Sequence, residues 1–301
     1  MNRTPKRLIP VLIVTACLTA TVTAQQPQQL EIQTIPVAKN VYMLVGPGGN
    51  IGLSAGEDGP FLIDDQFAPL TDKITAAVKK VSDGPIRFVV NTHWHQDHTA
   101  GNENFKKAGA IIVAHQNVRT RMSEEQTMRP FGRRVPPSPE GALPVITFTD
   151  SITFHWNGDE LRVLHLDPGH TDGDSIIHFR KANVLHLGDI FFNEMYPFID
   201  VSAGGSIDGM VRAVDRALEL TNEETKIIPG HGPLSDVEGL RAYRTMLETV
   251  GRRVHAMVEQ GKSRDEVIAG KPTKDFDAEW GGGFLQPDPW VGIVYDGMSG
   301  K

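Results

Sequence analysis

The stretch that most constrains this chain is Thr92-His93-Trp94-His95-Gln96-Asp97-His98, in which four metal-capable side chains fall within six residues. It follows the apolar run Phe88-Val89-Val90, which reads as a buried strand. A strand that ends in a tight loop sets His93 and His95 on one side and turns Asp97 and His98 toward a neighbouring point. That layout suits two metal ions rather than one. The bland reading, a polar loop with surface histidines, is disfavoured because the chain goes on to supply further ligands.

The rest of the chain reads as strands followed by helices, twice over. Apolar runs at Leu30 to Ile35, Val41 to Val45, Ile51 to Ala55 and Phe61 to Ile63 are separated by Gly and Pro clusters, as hairpin connections require. Leu70, Ile74, Ala77, Val78 and Val81 recur at helical spacing until Asp83-Gly84-Pro85. After the histidine stretch, a strand over Ala110 to Ala114 and a charged helix over His115 to Met128 are expected. Pro130 to Pro144, with five prolines, reads as a long irregular connection, either a lid over the site or a plain connector. Five more strands are expected at Val145 to Phe148, Ser151 to Trp156, Leu161 to Leu166, Ser175 to Phe179 and Val184 to Leu187. A helix over Ile207 to Leu220, a strand at Lys226 to Ile228 and an amphipathic helix carrying Val237, Leu240, Tyr243, Leu247, Val250, Val254 and Met257 follow. This pattern predicts two sheets packed face to face with helices outside. The aromatic series Phe276, Trp280, Phe284 and Trp290 reads as packing.

Several function classes are disfavoured. The formal charge is −7, so a nucleic-acid partner, which needs basic patches, is not expected. Cys17 is the only cysteine, which removes disulfides and cysteine chemistry from the body of the chain. Gly46 to Gly52 lacks phosphate-loop spacing, and Gly204-Gly205-Ser206-Ile207-Asp208 breaks the serine-nucleophile pattern at its last position. Arg3, Lys6 and Arg7, an apolar run to Ala16 and Val22-Thr23-Ala24 have the order of a secretory signal. Residues 1–24 are therefore expected to be removed and residues 25–301 to form a single domain, periplasmic or secreted, with no membrane span. Val14-Thr15-Ala16-Cys17 offers the alternative of a lipid anchor at Cys17.

Three later loops each follow a strand and carry a metal-capable residue beside small ones: Pro168-Gly169-His170, Leu187-Gly188-Asp189 and Pro229-Gly230-His231. The ordered set H-x-H-x-D-H, lone His, lone Asp, lone His resembles the metallo-β-lactamase superfamily, from about Val41 to Gly232. The resemblance implies a four-layer αββα sandwich with the site along one edge of the two sheets. It further implies that His93, His95 and His170 hold a first metal, that Asp97, His98 and His231 hold a second, and that Asp189 bridges them. Asp64, at the end of Phe61-Leu62-Ile63, matches an early family aspartate that orients a ligand, though an aspartate there also suits a turn cap. His115, His155, His165, His178, His186 and His255 match no motif position.

The expected activity is an exported hydrolase holding two zinc ions, or other divalent metals. Two Zn²⁺ less Asp97, Asp189 and a hydroxide leave a charge of about +1 to polarise a carbonyl of a lactone, ester, thioester or lactam. Asp97 would orient the nucleophile and pass a proton to the leaving group. Many class B β-lactamases carry a lysine three residues beyond the Asp189 position, where this chain has Phe192, so β-lactam hydrolysis is the alternative rather than the first expectation. A small-molecule substrate is expected in an apolar setting supplied by Phe67, Phe191, Phe192, Tyr196 and Phe198. Two other classes stand beside this one: a mononuclear iron oxidoreductase of the sulfur dioxygenase type, and a ligand-binding protein on a decayed enzyme fold.

Overall fold

The computed structural model describes Met1 and residues 31–299, so the expected signal segment and Cys17 lie outside the described residues. From Glu31 on the chain forms one compact unit. Its first sheet has seven strands in the order Gln33–Ala38, Val41–Val45, Ile51–Ser54, Phe61–Ile63, Phe88–Asn91, Ile111–His115, Ile146–Phe148. The first four pair antiparallel through short turns, and from Phe61–Ile63 onward the pairing is parallel, Ile63 opposite Val90 and Val90 opposite Val113. The second sheet runs Ser151–Trp156, Asp159–His165, Ser175–Phe179, Val184–His186, Lys226–Ile228, Ser235–Asp236, parallel only between Val184–His186 and Lys226–Ile228.

Alternation along the strands puts one apolar face of each sheet against the other. Met43, Phe61, Ile63, Val90 and Val113 meet Leu161, Val163, Ile177, Phe179 and Ile228 in a buried layer. Each fully buried aliphatic or Phe side chain there is worth about 1.5–3 kcal/mol of transfer free energy. Helices close both outer faces. Thr71–Val78 places Ile74, Ala77 and Val78 on the first sheet. Ile207–Leu218, Val237–Glu259 and Pro287–Ser299 cover the second, burying Met210, Leu240, Leu247 and Trp290. The result is the αββα sandwich. Because parallel strands point one way, the loops after Phe61–Ile63, Phe88–Asn91, Val184–His186 and Lys226–Ile228 reach one edge together, as carboxyl-end loops of parallel sheets do. No helix among the described residues is long and apolar enough to cross a membrane.

Two expectations change. The helix expected to Met128 spans Gln116–Ser123; Gln126–Met128 instead pairs with Arg133–Val135, which lies in the stretch read as irregular, in a small hairpin. Val118 and Met122 are the last apolar residues at helical spacing, and Pro130 cannot donate a helical hydrogen bond. Val135 anchors the hairpin by packing with Trp94, Val118 and Met122. In the aromatic series Trp280 and Trp290 are buried, whereas Phe284 is exposed.

Candidate metal centre

The loop after Phe88–Asn91 is held from below by Asp64. This carboxylate is fully buried and accepts from the Thr92 amide and hydroxyl, each at 2.7 Å, and from His98 Nδ1 at 2.8 Å. Its backbone is left-handed, φ 63°, a region Asp tolerates better than most residues. The Thr92 hydroxyl in turn accepts from His93 Nδ1 at 3.0 Å. One aspartate thus sets the rings of both His93 and His98.

In the first group, the outer nitrogen of every ring is engaged as a donor. His93 Nδ1 donates to Thr92, His95 Nε2 to Asp200 Oδ2 at 3.0 Å, and His170 Nδ1 to the Phe198 carbonyl at 2.8 Å. These partners fix the tautomers, so the inner nitrogens carry lone pairs. Yet the inner nitrogens face one another: His93 Nε2 lies 3.1 Å and His170 Nε2 2.8 Å from His95 Nδ1. Three acceptors aimed at one point, with no donor among them, are repulsive unless a cation fills that point. Burial, with the positive His98 nearby, holds the His93 pKa well below the ordinary value, and burial brings His170 down to about 4. Neutral imidazoles are what a metal ion requires.

The second group is charged. His98 Nε2 lies 3.1 Å from Asp189 Oδ1, and His231 Nε2 lies 3.2 Å from Asp97 Oδ2 and 3.5 Å from Asp189 Oδ1. Burial alone would lower the pKa of both rings. The carboxylates outweigh it, holding His98 well above the ordinary value and His231 at about 9. Asp97 and Asp189 are correspondingly held far below the carboxylate range despite their burial, by His98 first and His231 after it. Asp189 divides its oxygens: Oδ1 faces the second group, while Oδ2 lies 3.7 Å from His93 Nε2 and 3.5 Å from His170 Nε2. His93, His95, His170 and Asp189 form one group whose ligand atoms could hold a metal ion, and Asp97, His98 and His231 form another. The backbone comes unusually close to both. A Cβ on Gly49 would overlap the His98 ring, and one on Gly230 would overlap Asp189 Oδ1.

A sequence model of the metallo-beta-lactamase superfamily matches residues 35–231, the segment that carries every one of these side chains. The chain belongs to that superfamily. A hydroxyacylglutathione hydrolase of Pelagibacter ubique is 24% identical over 150 residues, 48% of this chain and 52% of the relative, so the chain spans about half the length of that protein. A probable metallo-hydrolase of Bacillus subtilis, YqgX, is 24% identical over 211 residues, 67% of this chain and 89% of the relative. Among solved structures, the DIM-1 metallo-beta-lactamase aligns with a TM-score of 0.58 at 19% identity, over 73% of this chain and 98% of that one, a likeness of fold.

Around this superfamily centre the five aromatic residues expected at the substrate pocket separate. Phe192 stacks on His231 with centroids 5.1 Å apart, and Phe198 lies 5.6 Å from His95 and 5.8 Å from His170. The other three are placed elsewhere. Phe191 packs on Tyr243, Tyr196 stacks on Trp290 and donates its hydroxyl to Asp277, and Phe67 packs against the layer containing Leu70 and Ile74. Period-two alternation explains Phe191, since a residue beside Phe192 in an extended segment faces the opposite way. A cavity of about 940 Å³ lined by Lys39, Lys80 and Asn157 shares no residue with the centre.

Four supporting residues were not anticipated. Asp200 holds His95, and its setting at the end of Phe198-Ile199 repeats the pattern that drew attention to Asp64. Asp174 accepts from the His170 amide and from the Thr171 amide and hydroxyl, shaping the loop; burial raises its pKa to about 7 against those bonds. Asn50 donates to the carbonyls of Pro229 and Gly232, clasping the His231 loop. His186 donates from Nε2 to the Asn50 carbonyl and accepts the Gly188 amide at Nδ1, tying that clasp to the Asp189 turn. The bonds of Asp200, of Asn50 and of His186 Nε2 join residues 105 to 182 apart in sequence, so their partners are not signalled locally. Ser206 caps the helix Ile207–Leu218 by accepting from Gly209.

Proposed function

We propose that this protein is a metal-dependent hydrolase of carbonyl compounds, exported, with His93, His95, His170 and Asp189 around one ion and Asp97, His98 and His231 around a second, zinc being the first choice for both. The observation that carries this reading is the convergence of three lone pairs in the first group, next to a carboxylate divided between the two groups. That donor set fits divalent ions on its own chemistry, nitrogen and carboxylate oxygen with no thiolate. When bound, such ions supply Lewis-acid polarisation of a carbonyl and a water acidified to a pKa of about 7.

The chain's own residues do the rest. Asp97, with 30% of its side chain exposed, stands on the open side of the centre, where Oδ2 can take a proton from the attacking water and return it to the leaving group. Phe198 walls the buried side and excludes water around His95 and His170. The ring of Phe192 lies flat against His231, so no cation stands at that position to grip a β-lactam carboxylate. Lactone, ester or thioester substrates are therefore preferred over β-lactams, a reading that the name of the Pelagibacter relative also supports.

The test is a zinc-loaded preparation assayed on a lactone, an aryl ester, a thioester and a penicillin, with Asp97→Asn as the blank. We expect turnover of at least one of the first three to exceed that of the penicillin and to fall by at least about a hundredfold in the variant. A zinc-loaded protein inert on all four, or an Asp97→Asn variant as active as the native chain, would refute the reading.

A further inference from the structure

The hairpin formed by Gln126–Met128 and Arg133–Val135 has no part in either ligand group, yet its tip is fastened to both sides of the centre. On one side Phe131 packs on Phe198 with centroids 4.9 Å apart, and Phe198 is the wall of His95 and His170. On the other, Arg133 Nη2 donates to Gln96 Oε1 at 2.6 Å, and Gln96 is the neighbour of Asp97 in the same helical turn. Only Gly132 separates the aromatic ring of Phe131 at the buried flank from the guanidinium of Arg133 at the open flank. The backbone of Arg129 is pinned as well, its amide donating to Ser202 Oγ at 3.2 Å.

The charges on this hairpin are not neutralised at the tip. The carboxylates nearby are already taken, Glu125 by Arg134 and Asp172 by the two-pronged contact of Arg121. Arg133 has only a neutral amide as partner. Arg133 therefore stands beside the Asp97 turn with no carboxylate partner, in a chain whose formal charge is −7. Phe131 remains 45% exposed although it touches Phe198, so a large apolar face is also left open there. A guanidinium offers a fork of donors that matches an oxyanion, and a ring beside it offers apolar area.

We infer that this hairpin is the specificity element of the site, and that the substrate is an acyl compound with an apolar stem and a terminal oxyanion, the stem against the exposed face of Phe131 and the oxyanion on Arg133. This rests on the hydrolase reading for the acyl bond, but the recognition itself does not. Arg133 thus supplies, from a different element, a cationic grip of the kind that Phe192 cannot provide.

The experiment uses two esters that differ in one group, phenyl pentanoate and the phenyl half-ester of glutaric acid, with a sulfonate-ended analogue as a third arm. Each is assayed with zinc-loaded native protein, Arg133→Gln, Arg133→Lys and Phe131→Ala at low ionic strength. In parallel, calorimetry measures binding of the two products, glutarate and pentanoate, to the native chain and Arg133→Gln. The expected result is a KM about tenfold lower for the anionic ester, the order of a charge-assisted hydrogen bond at a partly exposed site. Arg133→Gln brings the anionic-to-neutral ratio to about one, Arg133→Lys keeps part of it, and Phe131→Ala raises KM for both esters. A better sulfonate than carboxylate ratio assigns the oxyanion to the sulfo class and supports the same subsite. If no ester is hydrolysed while glutarate still outbinds pentanoate in an Arg133-dependent way, the hydrolase reading fails and the subsite stands. Equal ratios in the native chain and Arg133→Gln, or equal binding of the two products, would overturn the inference.

Discussion

The two ligand groups meet at Asp189, yet they are built on opposite principles. The group of His93, His95 and His170 is buried on every side, each ring steered by an outer acceptor, and burial keeps His93 and His170 neutral. The group of Asp97, His98 and His231 is partly open and rich in charge, with His98 and His231 protonated between carboxylates in the metal-free chain. In the first, burial has removed protons in advance of a metal. In the second, carboxylates recruit protons into the place of one. The lesson is that identical residue types become a preformed socket or an exchangeable one according to what stands behind them.

The largest consequence is in pH dependence. A metal can enter the second group only as His231 loses its proton, and that proton is held to about pH 9. Affinity there should rise by at least about tenfold per pH unit from about 6.5 toward about 9, more than a hundredfold in all, because His98, also held well above its ordinary value, must lose its proton too. The first group, with His170 already neutral above about 4, should change little over that window. The metal-free chain should move the other way. A raised folded-state pKa stabilises below the unfolded value near about 6.5 and ceases to do so as pH climbs through about 9. Zinc competition against a chelator across this range measures both slopes, and equal slopes for the two sites would remove the distinction.

Smaller effects should follow from the acceptors behind the rings. Asp200→Ala leaves His95 free to turn and should cost the first site about 10–100-fold in metal affinity while sparing the second. Asp64→Ala should weaken both, because Asp64 holds His98 directly and His93 through Thr92. If Asp200→Ala weakened the two sites equally, the groups would be one coupled cluster rather than two.

Much of this was legible in the chain because local chemistry announces itself. Ligands beside Gly and Pro at strand ends, and apolar runs of strand length, required no knowledge of distant contacts. The layers followed from alternation, as at Phe61 to Ile63. What escaped was set by long-range partners: Asn50 reads as a turn residue until Pro229 and Gly232 arrive beside it, and His186 as a core histidine until Gly188 turns its amide inward. The hairpin escaped for a local reason. Its strands are three residues each and mostly polar, too short to show a period. Phe191 and Tyr196 pack on Tyr243 and Trp290 rather than beside the histidines, because proximity in sequence to Asp189 does not fix which face a side chain takes.

The central claim is that two separable metal groups exist, and metal counting tests it most directly. Elemental analysis of zinc-equilibrated native chain, His170→Ala and His231→Ala, with circular dichroism to verify that each is folded, should give two ions for the native protein. Each variant should retain one, the His170→Ala ion in the charged, pH-dependent group and the His231→Ala ion in the neutral one. A native chain that takes a single ion, or variants that both keep two, would contradict the account.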